Sequence, residues 1–370
     1  MAEKVSLPHE MLPADGRFGS GPSKVRAAQV NAVVASPLGT SHRKPPVKHL
    51  VAHIRAGLRE LFHLPDGYEV LLGNGGATAL WDAIPFALVE KRAQCAVIGE
   101  FSNKAATAVS RAPWLDGADV RRTEPGHMIT NEAQEGIDAY LYAHNETSTG
   151  AMSPLARYGT APSNGDAGAL TIVDGTSIAG GVVFDPTNVD FYYFSPQKCF
   201  GADGGLWLAF ASPAALERIE RLTATRWVPD FLNLQLAVNN SRKDQTLNTP
   251  AVATIAMLAD QVQWMLDNGG LAGMEARSRA SSNLVYEWAA QRPYTSSFIT
   301  EPEYRSCTVT TTDIDPAISV PEISQLLREA GILDVDPYRS LGRNQFRIAT
   351  FPAVETADVA KLLECIDSLV

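Results

Sequence analysis

Between residues 69 and 211 the chain alternates short β-type runs with helical stretches, and no other feature restricts the fold as much. Neighbouring parallel strands need a crossover connection, usually a helix, so the pattern predicts a parallel α/β sheet. The runs are Glu69–Gly73, Cys95–Gly99, Ala139–Ala143, Ala169–Val173, Phe191–Phe194 and Leu206–Phe210. After the first of them, Leu80, Trp81, Ile84, Ala87 and Leu88 share one face of a helix over Ala77–Lys91, a face expected to pack on the sheet. From Asn248 the pattern changes. Thr249-Pro250 opens a long helix that ends near Asn268-Gly-Gly270 and reads as a bridge to a second unit. That unit is a smaller α+β arrangement, with helices over 273–291, 321–330 and 356–369 and strands over 306–312 and 345–350.

Composition removes several function classes. With 45% hydrophobic residues in a chain of 370, there is ample material for a large core, which excludes disordered and fibrous classes. Apolar runs such as Ala169–Val173 fall far short of the roughly 20 residues of a membrane-spanning helix. Residues 1–8 carry charge without an apolar stretch, so no secretory signal is read and a cytoplasmic protein is expected. A formal charge of −10 argues against a general nucleic-acid surface, so an anionic ligand needs a local cluster of Arg and Lys. The four cysteines, Cys95, Cys199, Cys307 and Cys365, are too dispersed for a metal site or a disulfide framework. No metal is expected.

Three motifs carry chemistry. Gly73-Asn-Gly-Gly-Ala-Thr78 joins a strand to a helix, where free backbone N–H groups and the helix N-terminus suit a phosphate. Such turns also serve simply to let a helix pack close, and the spacing fits neither GxGxxG nor the Walker lysine pattern. Ile172-Val-Asp174 delivers a carboxylate at the C-terminal end of an apolar strand, where open α/β sheets place ligands. On its own it reads as a cap or turn residue. Phe194-Ser-Pro-Gln-Lys198-Cys-Phe-Gly201 then sets a lysine among apolar residues at the end of another strand, beside that aspartate. Desolvation lowers a lysine's pKa and favours Schiff-base chemistry.

Phosphate turn, aromatic, strand-end Asp and Gln-Lys in this order resemble the phosphoserine aminotransferases, a family of class-V, fold-type I enzymes that use pyridoxal 5′-phosphate. The resemblance runs through Phe18-Gly-Ser-Gly-Pro22, Ser41-His-Arg43, Asn145-Glu-Thr147 and Leu247-Asn-Thr-Pro250 and covers nearly the whole chain. It implies a large α/β domain, residues 18–260, with a mainly parallel seven-stranded sheet flanked by helices, and a smaller α+β C-terminal domain, residues 261–370, with residues 1–17 packed near it. By the same resemblance Lys198 forms the internal aldimine, Asp174 pairs with the pyridinium nitrogen and Thr147 contacts the ring hydroxyl. Gly76, Ala77, Thr78, Ser177 and Gln197 would surround the phosphate or ring, and Phe101 would stack on the ring where the family carries Trp. Asn248 and Thr249 would reach the cofactor phosphate of a neighbouring subunit, which implies a homodimer with shared active sites.

The implied reaction is a transamination between glutamate and 3-phosphohydroxypyruvate, giving O-phospho-L-serine and 2-oxoglutarate in serine biosynthesis. Some family members also accept a phosphorylated four-carbon keto acid of pyridoxine (vitamin B6) synthesis. Planar guanidinium suits both anionic groups of such substrates. By resemblance Arg347 takes the α-carboxylate, while His42, Arg43 and Arg339 take the phosphate. Tyr338 stands where the family has His, and a longer loop leaves Arg343 as an alternative to Arg339. A serine or alanine–glyoxylate aminotransferase of the same fold and a cysteine desulfurase are the nearest rivals, although neither Cys307 nor Cys365 sits in a suitable loop. An NAD-dependent oxidoreductase would leave the pairing of Asp174 with Lys198 unexplained, and a cofactor-binding protein without catalysis is the remaining alternative.

Overall fold

A computed structural model describes residues 7–159 and 168–370. Its centre is a seven-stranded sheet built from β1 (Glu69–Asn74), β2 (Ala93–Val97), β3 (Asp119–Arg122), β4 (Ala139–Ala143), β7 (Leu170–Asp174), β8 (Phe191–Phe194) and β9 (Leu206–Ala211). A hairpin of β5 (Asn145–Glu146) and β6 (Ala151–Met152) follows β4. The order across the sheet is β1-β9-β8-β7-β4-β2-β3, and β9 runs antiparallel to both of its neighbours while the remaining pairs are parallel. The mainly parallel seven-stranded sheet is therefore present. Its central strands are apolar and buried throughout, as strands covered on both faces must be. Strand β3 escaped the sequence reading because Asp-Val-Arg-Arg at a sheet edge has no apolar run.

One face of the sheet is covered by α3 (Ala77–Ala87), α4 (Glu100–Ser110), α5 (Pro213–Thr225) and α6 (Leu234–Ser241), with Leu80, Ile84, Val109 and Ile219 in its core. The other face packs α2 (Pro45–Leu61) and α7 (Val252–Asp267), through Ile54, Leu58, Ile255, Val262 and Met265, and α1 (Ala27–Val34) lies against α7. The expected division after residue 260 thus falls inside a helix whose core contacts continue to Met265. Helix α3 stops at Ala87, short of the expected Lys91. The Asp138 carboxylate accepts the N–H groups of Glu90, Lys91 and Arg92 at 2.6–2.8 Å and turns the chain into β2.

The smaller unit comprises α8 (Gly270–Gln291), β10 (Thr295–Ser297), β11 (Val309–Ile314), α9 (Val320–Glu329), β12 (Gln345–Ala349) and α10 (Thr356–Leu369). Its strands form one antiparallel sheet. Strand β11 starts later than the sequence suggested, because the Ser306 hydroxyl accepts the N–H groups of Thr308 and Val309 and holds 306–308 as a turn. Leu7, Met11 and Leu12 pack on this unit's core, and Ala14 N–H donates to Asp358. Residues 1–6 of the expected N-terminal segment lie outside the described residues. Among the described residues no helix is long and apolar enough to cross a membrane and no cluster could hold a metal ion.

Candidate active site

The C-terminal ends of β1, β2, β7 and β8 lead into the segments that carry Gly76–Thr78, Phe101, Asp174 and Lys198, the edge at which open α/β folds place ligands. Asp174 ends β7 and is buried. Its Oδ1 accepts the Thr176 N–H at 2.9 Å and its Oδ2 accepts the Trp81 indole N–H at 3.1 Å. Burial pushes its carboxyl upward, opposed by these donors. Apolar periodicity assigns Trp81 only to the core, so its contact with Asp174 was not readable from the sequence.

Lys198 follows β8 in a turn, and its Nζ donates to the Ser20 carbonyl at 2.6 Å. Burial is the main cause that pulls its amine down to about 8, helped by the charge of Arg347 and opposed by that of Asp174. The three charged groups therefore share one locality. The Ser23 hydroxyl accepts nothing from Lys198 but donates to its carbonyl at 2.6 Å, which ties the turn to the Gly-Ser-Gly-Pro segment.

At the turn between β1 and α3, Gly75 and Gly76 hold φ values of 110° and 72°, a left-handed region that favours glycine. Gly76 is the N-cap of α3, and the Ala77 N–H donates to the Ser195 hydroxyl at 2.9 Å. Ser195 was not singled out by the sequence reading. Thr78 lies in the first turn of α3, and Phe101 lies in that of α4. The Phe101 ring stands 6.4 Å from Trp81 and 5.5 Å from Tyr338.

Glu146 explains how Phe101 is held. This fully buried carboxylate accepts the N–H of Phe101 and the N–H and hydroxyl of Ser148 at Oε1, and the N–H and hydroxyl of Ser102 at Oε2. A carboxylate at a helix N-terminus satisfies its free donors and suits its dipole. Thr147 is the next residue, and its carbonyl accepts Arg347 Nη1 at 3.3 Å. Ser177 is fully buried and exchanges hydrogen bonds with Asn145, so its hydroxyl braces that residue.

Arg347 points from β12 toward this cluster, with its guanidinium 5.2 Å from the Tyr338 ring centroid. Its Nε is buried without a hydrogen-bond partner. Arg339 is exposed in a short turn after Tyr338, whereas Arg343 is committed to Asp313 at 2.6 and 3.0 Å. The geometry thus leaves Arg339 as the available member of that pair. Arg43 is not brought to the cluster within one chain: it donates to Gln245 and to the Leu247 carbonyl, beside the exposed Asn248 and Thr249. His42 is buried there with Nε2 unpartnered, and burial and Arg43 lower its pKa.

The residues fit a pyridoxal phosphate. Gln197 Oε1, Asn145 Oδ1, Ser20 Oγ and Arg347 Nε are buried polar atoms without partners, clustered by their segments around Lys198 and Asp174. Buried polar groups are rarely left so unless a ligand satisfies them. The cysteines offer no nucleophile, since burial pushes Cys95 up to about 12, Cys307 up to about 11, and Cys199 and Cys365 upward.

Residues 26–333 match the family described as Aminotransferase class-V. The chain is 53% identical over 371 residues to a phosphoserine aminotransferase of Corynebacterium glutamicum, covering 99% of this chain and 97% of that protein. A crystal structure of a phosphoserine aminotransferase from Cytophaga hutchinsonii matches with TM-score 0.86 at 23% identity, over 96% of this chain and 99% of that one. A pyridoxal phosphate-bound phosphoserine aminotransferase from Trichomonas vaginalis matches with TM-score 0.81 at 21% identity, over 95% and 99%. The two structural likenesses speak for the fold.

Proposed function

The chain belongs to the phosphoserine aminotransferases within the class-V aminotransferase family, and from that premise we propose that it moves an amino group between L-glutamate and 3-phosphohydroxypyruvate with pyridoxal 5′-phosphate bound at Lys198. The observation that carries this reading is the shared locality of Lys198, Asp174 and Arg347, whose Nε is buried without a partner. Bound there, the cofactor supplies a carbonyl carbon for the amine and a ring that takes up electrons when the substrate loses its α-proton.

The chain's own residues divide the remaining work. Lys198, its amine drawn down to about 8, can be neutral often enough near pH 7 to act as nucleophile and then to move a proton at Nζ. Asp174 would pair with the ring nitrogen and favour its protonated form. Phe101, Thr147, Gln197 and the first turn of α3, Gly76 to Thr78, would hold the ring and its phosphate. Arg347 would offer a planar donor pair to a substrate carboxylate, and the exposed Arg339 would meet a phosphate.

The working unit is a homodimer in the cytoplasm. Trp227 is 81% exposed, and Phe231 is exposed directly beside Gly75, so apolar surface borders the phosphate turn. A second copy would cover such surface. Arg43 hydrogen-bonds the segment that carries Asn248 and Thr249, so a contact that delivers those two residues to the neighbouring site delivers Arg43 with them. Four free, buried thiols suit a reducing compartment.

The test is to reduce the purified protein with borohydride, map the labelled lysine, and assay phosphoserine and glutamate. Label on Lys198 with phosphoserine consumed supports the reading. Label elsewhere, or a preference for alanine over phosphoserine, overturns it.

A further inference from the structure

We infer that Trp81 is a positioning residue for the reaction: its indole N–H fixes the Asp174 carboxylate in the orientation and ionisation that the ring nitrogen requires. The inference rests on the proposed use of pyridoxal phosphate and assigns a role to a residue that sequence periodicity places in the core.

Two contacts converge on Trp81, and a third fixes its partner Asp174. Its Nε1 donates to Asp174 Oδ2 at 3.1 Å, while the Thr176 N–H occupies Oδ1 at 2.9 Å. Two donors on different oxygens remove the freedom of the carboxyl group to rotate. An ionised carboxylate has about four acceptor positions, so lone pairs remain for a third donor. The indole is a donor only, so this contact favours an acceptor oxygen and disfavours the neutral acid's O–H. That bias matters because burial works in the opposite direction on Asp174. Trp81 also stands 6.4 Å from Phe101, and it lies on α3, whose first turn is the expected phosphate cradle. One side chain thereby links the ring's nitrogen partner, its stacking face and its phosphate anchor.

The Thr176 and Tyr193 hydroxyls also face the Asp174 carboxylate and oppose the upward push of burial, but neither makes a hydrogen bond of ordinary geometry, so the indole is the side-chain donor that fixes the group. Tyr192 and Tyr193 come from β8, and burial raises both hydroxyls well above their usual range. His144, after β4, donates its backbone N–H to the Asp174 carbonyl at 2.9 Å. Its ring meets the Tyr192 hydroxyl at 3.0 Å, and burial pulls it down to about 3, so it is neutral. Lys198 is the cationic neighbour, and its amine is engaged with Ser20.

The experiment compares the full chain with Trp81→Phe, which keeps an aromatic ring and deletes the N–H. Cofactor affinity is measured on the cofactor-free protein from pH 5 to 8, with circular dichroism as the folding control. The acid limb, where affinity falls as Asp174 takes a proton, should move up by about one pH unit, with roughly a ten-fold loss of affinity on that limb. Trp81→His, which restores a ring N–H, should move the limb back toward that of the native protein. An unchanged limb in folded Trp81→Phe overturns the inference.

A second measurement stands even if Trp81→Phe does not fold. Among the indole N–H signals of the six tryptophans in the 15N-labelled native chain, one should titrate with the midpoint of the acid limb and lose that titration in Asp174→Asn. No such signal overturns the inference. A chain that binds no pyridoxal phosphate at any pH overturns the proposed function instead, which keeps the two failures distinct.

Discussion

The amine of Lys198 occupies the space in which a side chain on Gly21 would begin: a Cβ added to Gly21 would run into Nζ and Cε of Lys198. Gly21 has φ +144°, a conformation that side chains rarely adopt, so glycine is required there on two counts. Gly21→Ala should therefore displace the amine from the Ser20 carbonyl and lower turnover steeply. Lys198→Ala should abolish turnover in a chain that still folds, since one partly buried amine is lost and no core residue. Borohydride labelling checks both. Native labelling kinetics in Gly21→Ala would show that the amine does not use this space.

A second prediction concerns stability and pH. Burial first, and then Arg347, draw the Lys198 amine from 10.5 down to about 8. Between those values the unfolded chain binds the extra proton, so folding stability rises with pH through that window, and the cost of this lysine is greatest below pH 8. Lys198→Met should thus stabilise the cofactor-free protein at pH 7, with the gain fading as the pH approaches 10.5. The full shift corresponds to a ceiling of about 3 kcal/mol, reduced because the side chain is partly open to solvent. Urea midpoints at pH 7 and 10 read the effect. Equal midpoints of the two proteins at pH 7 would contradict it.

The sequence exposed Asp174 and Lys198 because each stands at the end of an apolar strand, where a polar residue breaks a visible pattern. It did not expose their supports. Trp81 looks like any apolar-face residue of α3, since periodicity reports which face an indole lies on and not where its N–H points. Ser195 and Ser20 have no signature outside the fold. Glu146 appears in the sequence only as the middle of Asn145-Glu-Thr147, with nothing to show the five donors from three residues that surround it. The end of α3 is not visible in the local sequence because Asp138, distant in the chain, captures three N–H groups. For Arg43, Asn248 and Thr249 the missing information lies in a second copy of the chain.

Glu146 gives a third prediction. Glu146→Gln keeps the shape but leaves an amide facing the donors at one of the two carboxylate oxygens. A side chain at Gly99 would overlap Glu146, so the backbone has no room to relax toward it. Losing buried hydrogen bonds of this kind costs about 1–3 kcal/mol. The denaturant midpoint should fall accordingly, and the circular dichroism of bound cofactor should change as Phe101 loosens. A native midpoint together with a native cofactor spectrum would remove Glu146 from the support of the site.

The last prediction separates the arginines by substrate. Arg347 has a buried Nε without a partner, a carbonyl contact to Thr147 and the Tyr338 ring beside it, so its guanidinium is held ready for a planar anion. If that anion is the α-carboxylate common to every substrate, Arg347→Leu should damage the half-reactions with glutamate and phosphoserine alike. Arg339→Leu and Arg43→Leu should damage the phosphoserine half-reaction more, because glutamate carries no phosphate. Removing a charged hydrogen-bonding partner costs on the order of 1.5–3 kcal/mol, roughly ten- to hundred-fold in affinity. Arg343→Leu should spare both half-reactions, since that side chain is spent on Asp313 and stacked 4.4 Å from the Phe298 ring. Single-turnover rates for the two amino donors, measured on all four variants, decide the matter. Normal phosphoserine turnover in Arg339→Leu and Arg43→Leu would be incompatible with a phosphate site at these residues. A selective phosphoserine defect in Arg343→Leu would reassign that site to the longer loop.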